Sequence, residues 1–161
     1  MLFPKPAHKE KVKKGLNRYR KSPIARAKKK AWDIFSLYTR LKNSKDGICI
    51  CYTCERPFYY KEGDAGHGIE GRNNAVLFME EVVKPQDKQC NIFKHGNLRV
   101  FTRKLIEELG LKKYNELEFL SNQTIIYKEK NYLAIYELYK EKLSQLEVRS
   151  GNIFFEEHGL N

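Results

Sequence analysis

The pair Cys51 and Cys54, in the run Cys51-Tyr52-Thr53-Cys54, is the feature that most restricts the fold. Two cysteines at this spacing form a tight turn whose thiolates can occupy two corners of a zinc tetrahedron. A second pair downstream normally supplies the other two. Here the downstream cysteine is Cys90 alone, and three positions before it stands Asp87, so the second pair reads Asp-x-x-Cys. A carboxylate can ligate zinc, although structural sites prefer sulfur and nitrogen. Cys49 is an alternative ligand. The competing reading is a metal-free cluster of reduced, buried thiols. With zinc bound, the two pairs would pin one small domain together.

The charge is placed as unevenly as the cysteines. The chain has 161 residues and a net charge of +11. Residues 1–30 hold 12 Lys or Arg and the single acid Glu10, a net of +11, so residues 31–161 are neutral overall. Such an arm is the electrostatic footprint of a polyanion, most often nucleic acid, with a solubilising or targeting tail as the plainer alternative. Arg18 and Arg20 in this arm are candidate phosphate contacts. No apolar run approaches a membrane span, and the N-terminus is basic from Lys5 onward rather than apolar. The expectation is an intracellular protein in which four cysteines serve as ligands or free thiols rather than disulfides.

The expected organisation has five parts. Residues 1–24, with Pro4, Pro6, Gly15 and Pro23, form a basic arm of irregular structure. Residues 25–46 form a helix, because Ala27, Ala31, Ile34, Phe35, Tyr38 and Leu41 recur at steps of three and four. Asn43-Ser44-Lys45-Asp46-Gly47 ends it with turn chemistry. Residues 47–110 form the core, with short β-rich runs at Ile48–Tyr52, Phe58–Tyr60 and Ala75–Phe78. A helix over 88–109 follows, bent near Gly96-Asn97 and closed by Gly110. Residues 111–149 are helical, near Lys113–Leu120 and then Thr124–Leu146 with the stripe Tyr132, Tyr136, Tyr139, Leu143 and Leu146. That stripe suits core packing or a partner. Residues 150–161 are a tail.

Two segments have catalytic chemistry. Asp64-Ala65-Gly66-His67 reads as a Gly-flanked turn that presents an imidazole. Neutral His suits a general base near pH 7, and Gly66 would allow close approach of a phosphate or a strained backbone. The segment Cys90-Asn91-Ile92-Phe93-Lys94-His95-Gly96-Asn97 places Asn91 near a helix start. Its side-chain oxygen suits Mg²⁺, and a helix N-cap is the plainer role. Lys94, one turn on, and Arg40, off the apolar stripe of the first helix, are further candidate phosphate contacts.

Taken in order, Cys-x-x-Cys, Asp-x-Gly-His and Cys-Asn-x-x-Lys-x-Gly-Asn resemble the HNH (ββα-metal) nucleases, most closely the phage lambda NinG (Rap) recombination family. The resemblance runs from about Ala31 to Leu146. It includes Phe78 and Glu80, placed in the second hairpin strand, and Pro85-Gln86. It implies an α+β fold with a ββα-metal core and zinc knuckle, flanked by N- and C-terminal helices. It also implies a metal-dependent endonuclease acting on branched DNA such as Holliday junctions or D-loops, in the cytoplasm of a phage host. His67 then resembles the general base, Asn91 the metal-holding residue, and Asp64 the acid that orients the His or the metal. Mg²⁺, or Mn²⁺ in its place, would bind Asn91 and Asp64. Zinc would bind Cys51, Cys54, Asp87 and Cys90. Arg72, Lys94 and Asn97 fall where phosphate or local backbone contacts are expected.

Three positions depart from the family pattern. Val82 replaces the middle Asn that braces the loop behind the base, Lys84 replaces a His, and Asp87 replaces a zinc Cys. These changes favour the alternative of a non-catalytic zinc-knuckle DNA-binding protein. An RNA-binding or virion-associated protein is a more distant alternative. Junction cleavage commonly needs two active sites, so a homodimer built on the last helix's Tyr/Leu stripe is a further expectation.

Overall fold

A computed structural model describes residues 22–70 and 73–149. Residues 1–21 of the basic arm, with Arg18 and Arg20, as well as Arg72 and the tail, lie outside them, while Pro23 and Ile24 already belong to the first helix. The described chain is α+β, with helices around two small antiparallel sheets. None of its helices is long and apolar enough to cross a membrane.

Helix α1 spans Pro23–Lys42. Ser22 caps it by accepting the amide of Ala25, and Pro23 occupies the first turn, where a missing N–H costs nothing. The predicted stripe is the buried face: Ala27, Ala31, Ile34, Phe35 and Tyr38. At the far end the Asn43 amide closes back on the carbonyl of Thr39 at 2.7 Å. Strands β1 (Ser44–Lys45) and β2 (Ile48–Ile50) follow, joined by Asp46 and Gly47, both at positive φ. That is the geometry a two-residue Asp-Gly hairpin requires. Strand β3 (Pro57–Tyr59) pairs with β2, placing Cys49 opposite Phe58.

The second sheet is a hairpin of β4 (Asp64–His67) and β5 (Val83–Gln86). Its register sets Asp64 opposite Gln86 and His67 opposite Val83. The Asp64–His67 tetrapeptide is therefore a strand and not the expected turn. The apolar run Ala75–Phe78 is in turn not a strand. Its amides close locally, Val76 and Leu77 both onto the carbonyl of Asn73, while Ala75, Val76 and Leu77 are buried. A short apolar run shows only that it is buried, and neighbouring hydrogen bonds decide its form. Phe78 and Glu80 consequently precede the second strand instead of lying in it.

After β5 comes a wide π-type turn, Gln89–Phe93, then a 3₁₀ turn, His95–Asn97, and helix α2, Leu98–Leu109. The bend falls where Gly96 and Asn97 predict it, and Gly110 ends α2 at φ 81°. Helix α3 (Leu111–Ser121) starts two residues before the expected Lys113, and α4 (Glu129–Arg149) starts five after Thr124. The β-branched Thr124, Ile125 and Ile126 are poor helix starters, and the Ile125 carbonyl is taken by the amide of Asn74.

The main core lies between α1 and α4, with the hairpin against α1. Phe35 packs edge-on to Tyr139 and Phe78. Tyr132, Tyr136, Tyr139 and Leu143 are buried in this core, so the stripe proposed for a dimer is already covered within one chain. Gly68 is a contact glycine, since a Cβ there would sit 2.4 Å from Phe101 and Leu105 of α2.

Glu80 ties the two long helices together. Its carboxylate meets Lys42 of α1 at 2.5 Å and Lys142 of α4 at 2.6 Å, and accepts from Tyr139 at 3.3 Å and Tyr38 at 3.4 Å. Partial burial pushes its pKa up, but the two lysines outweigh that and hold it below the ordinary value of 4.5. The stabilisation from this group is therefore complete above the ordinary carboxylate range and disappears as pH falls through the depressed value. Glu80→Gln is expected to remove that share of the acid-side loss of stability, leaving urea midpoints at low pH closer to those at neutral pH than in the wild type.

Candidate metal centre and adjoining cleft

Strands β2 and β5 bring the two halves of the knuckle together. The Tyr52 amide donates to the carbonyl of Pro85 at 2.9 Å, fastening the Cys51–Cys54 turn to β5. Glu55, at φ 62°, turns the chain sharply, and its amide returns to the carbonyl of Cys51. The result is a cluster of Cys51, Cys54, Asp87 and Cys90 whose ligand atoms all lie within 4.8 Å of one another. Zinc–sulfur bonds of about 2.3 Å imply tetrahedral edges of about 3.8 Å, so a small contraction closes the cluster on an ion. The cluster can hold a metal such as zinc.

Asp87 is oriented for this role. Its Oδ1 accepts the amide of Cys90 at 2.7 Å, and its Oδ2 accepts from Cys54 Sγ at 2.9 Å. Arg56 approaches the same corner, with Nη2 3.3 Å from Asp87 and Nε 3.4 Å from Cys54 Sγ. Three thiolates and a carboxylate carry more negative charge than one divalent ion cancels, and Arg56 offsets part of the remainder. Burial raises the Cys51 thiol's pKa, but the Thr53 hydroxyl and the backbone amides of Asp87, Cys54 and Thr53 bring it below its ordinary value. Burial pushes Cys90 up to about 11 in the metal-free protein. Cys49 stands apart: its thiol donates to the carbonyl of Arg40, and burial raises it to about 11. It belongs to the core and is not among the four clustered residues.

Beside the knuckle is an open cleft of about 580 Å³, lined by His67, Glu70, Asn91, His95 and their neighbours. Asn91 and Asp64 are joined, Nδ2 to Oδ2, at 3.0 Å. His67 and Asn91 thus share one cleft, and Asp64 is tied to it through Asn91. The His67 ring is 5% exposed and stacks on Trp32, with centroids 5.6 Å apart. Its Nε2 faces the Leu77 carbonyl at 3.1 Å, which sets the proton on Nε2 and the lone pair on Nδ1.

A family model described as Bacteriophage Lambda NinG protein matches residues 4–149. The chain belongs to the NinG family. That membership links it to phage recombination and hence to nucleic acid. No curated protein and no solved structure matches it.

The places where this NinG-family chain leaves the expected pattern now have physical readings. Val82 is fully buried, and its carbonyl accepts the amide of Gly68 at 2.9 Å. The loop behind His67 is braced instead by Asn74. Its Oδ1 accepts from Tyr132 at 2.8 Å and its Nδ2 donates to the Ile125 carbonyl at 2.8 Å. Lys84 pairs with Glu108 at 2.5 Å, over the ring of Tyr52. Gly66 is explained by packing and not by phosphate. A Cβ there would fall 1.9 Å from Oε1 of Gln86.

Arg40 is corrected from a phosphate contact to an internal strut. Nη1 donates to the carbonyls of Tyr60 and Gly63 at 2.7 and 2.8 Å, and Nε to that of Ser36. Asn97 adopts a left-handed conformation at the start of α2, and Lys94 is exposed one turn before it. Sequence reasoning assigned no role to Gln86 or Asn74. Gln86 donates from Nε2 to Thr53 at 3.0 Å and to the Gly96 carbonyl at 2.8 Å, joining the knuckle to the turn that bears Asn91. A polar residue next to Pro85 in a strand was the available signal, but its partners lie 33 and 10 positions away.

Purified protein is expected to carry about one zinc per chain. Asp87→Ala should lower that content and the melting temperature, whereas Asp87→Cys should keep both, as read by metal analysis and thermal unfolding of the same samples.

Proposed function

We propose that this NinG-family protein is an HNH-type, Mg²⁺-dependent endonuclease that cuts branched DNA recombination intermediates. The observation that carries the reading is that His67 and Asn91 line one cleft beside the knuckle, with Asp64 bonded to Asn91. The order of elements supports it as well: a hairpin bearing the His, then a turn bearing the Asn that leads into a helix, the order of a ββα-metal core. Asp64 and Asn91 fit a hard cation, since their mutual bond joins Asn91 Nδ2 to Asp64 Oδ2 and leaves Oδ1 of each side chain as an oxygen donor. When bound there, Mg²⁺ would offset charge on the scissile phosphate and its departing oxygen. Zinc in the knuckle would hold β2 against β5 and so fix the cleft's wall.

In this mechanism the side chains that bury Nδ1 of His67 part to admit water, and Nδ1 takes a proton from it as the water oxygen attacks phosphorus. The new P–O bond forms as the bond to the 3′-oxygen breaks, leaving a 5′-phosphate and a 3′-oxygen that takes a proton from solvent water to become the 3′-hydroxyl. The Leu77 carbonyl holds Nε2–H and so steadies the imidazolium that results. The N-terminal arm would add sequence-independent, salt-sensitive affinity, which suits an enzyme that selects DNA by shape.

The burial of His67 at 5% exposure favours a second reading, a DNA-binding protein of the same fold that no longer cuts. Incubation with a four-way junction, with and without Mg²⁺, decides between them. His67→Ala is expected to lose cleavage by about 10²–10⁴-fold while binding the junction as the wild type does. Cleavage undiminished in that variant would overturn the mechanism, and no cleavage by the wild type would favour the second reading.

A further inference from the structure

The turn that holds Asn91 also carries the most exposed aromatic side chain among the described residues. Phe93 is 74% exposed, and Ile92 beside it is 52% exposed and lines the cleft. Both follow Asn91 directly within the π-type turn Gln89–Phe93. Two adjacent large apolar groups standing in water at a cleft's edge call for an occupant.

The surroundings indicate which one. Lys88, Lys94 and Arg99 flank the pair in sequence, all exposed, and no ion pair engages them among the described residues. No acid stands in the sequence from Lys88 to Ile106. An apolar tip on a segment carrying only positive charge repels a second copy of itself and attracts a polyanion. The mounting is stiff. The Lys94 amide returns to the Gln89 carbonyl at 3.0 Å, and that of Asn97 to Lys94 at 2.8 Å. His95, Gly96 and Asn97 are left-handed in succession, and Gln86 holds the Gly96 carbonyl from below. A side chain that must part stacked bases needs such a fixed base.

We infer that Phe93, with Ile92 beside it, is an apolar wedge that enters the base stack of DNA at a branch point, next to the cleft. This rests on the proposed DNA substrate. Bases at a branch are already partly unstacked, so the wedge opens them at lower cost than in a continuous duplex. Its stacking favours branched over linear DNA by about tenfold. Branch selectivity then comes from the wedge, while the arm and the cleft treat all DNA alike.

The test uses the full chain and a four-way junction with 2-aminopurine at the branch, in EDTA to prevent cutting. Wild type is expected to raise the fluorescence on binding. Phe93→Ala should abolish the rise and weaken junction binding about tenfold, leaving linear-duplex affinity nearly unchanged. Phe93→Trp, which keeps a ring able to stack, should restore junction affinity. A rise and junction affinity intact in Phe93→Ala would overturn the wedge. So would equal loss on linear duplex, or a changed elution volume in sizing with DNA behaviour unchanged, which would mark a contact between copies. Wild type that cuts junctions with no fluorescence rise removes the wedge and leaves the nuclease. Wild type that binds no DNA removes both.

Discussion

The side-chain amide of Gln86 joins the parts of this protein that must stay in register. It lies fully buried at the end of β5, opposite Asp64, and donates to Thr53 in the knuckle and to Gly96 in the turn beyond Asn91. Its Oε1 has no hydrogen-bond partner among the described residues, a desolvation cost of about 1–3 kcal/mol. The two donated bonds offset that cost and fix where the turn sits. The adjoining strand accommodates the amide by having no side chain at Gly66. Knuckle, hairpin and turn thus share one buried group, and the cleft forms between them.

The knuckle shows how one substitution is absorbed by its surroundings. A carboxylate at position 87 is harder and more hydrated than a thiolate, so it needs orienting before it can serve as a zinc ligand. The Cys90 amide and the Arg56 guanidinium supply that orientation. The Val82 substitution is absorbed differently. An apolar side chain fills the core, and the bracing of the loop passes to Asn74, which bonds to α4 and the segment before it. In both cases the geometry is kept by different atoms from those the family pattern would suggest.

Much of the site was legible in the sequence because its signals are local. The spacing of Cys51 and Cys54, the Asp-x-Gly-His run and the Cys90–Asn97 run each concern residues a few positions apart. The stripe of α1 and the Asp46-Gly47 turn were readable for the same reason. The readings that failed turned on which hydrogen-bond partner a group finds, near or far. Ala75–Phe78 reads as a strand because β-branched and aromatic residues cluster there, yet its amides find Asn73 first. Arg40 reads as a surface cation, yet its fork reaches carbonyls 20 and 23 residues away. The Tyr/Leu stripe of α4 reads equally as core or interface, and only its contact with α1 shows which.

By itself, the sequence determined the donor types, the basic arm and the order of the motifs, because chemistry and order are properties of the chain. It also determined where α1 and α2 stop, at the Asn43 turn and at Gly110, since caps and turns act over three or four residues. The tertiary structure alone decided that Asp87 joins the three cysteines and Cys49 does not. It alone decided that Asn91 meets Asp64 and that Gly66 makes room for Gln86. These are contacts across a hairpin and a knuckle, where the free energy comes from burying groups far apart in sequence, and no local pattern encodes which of them will meet.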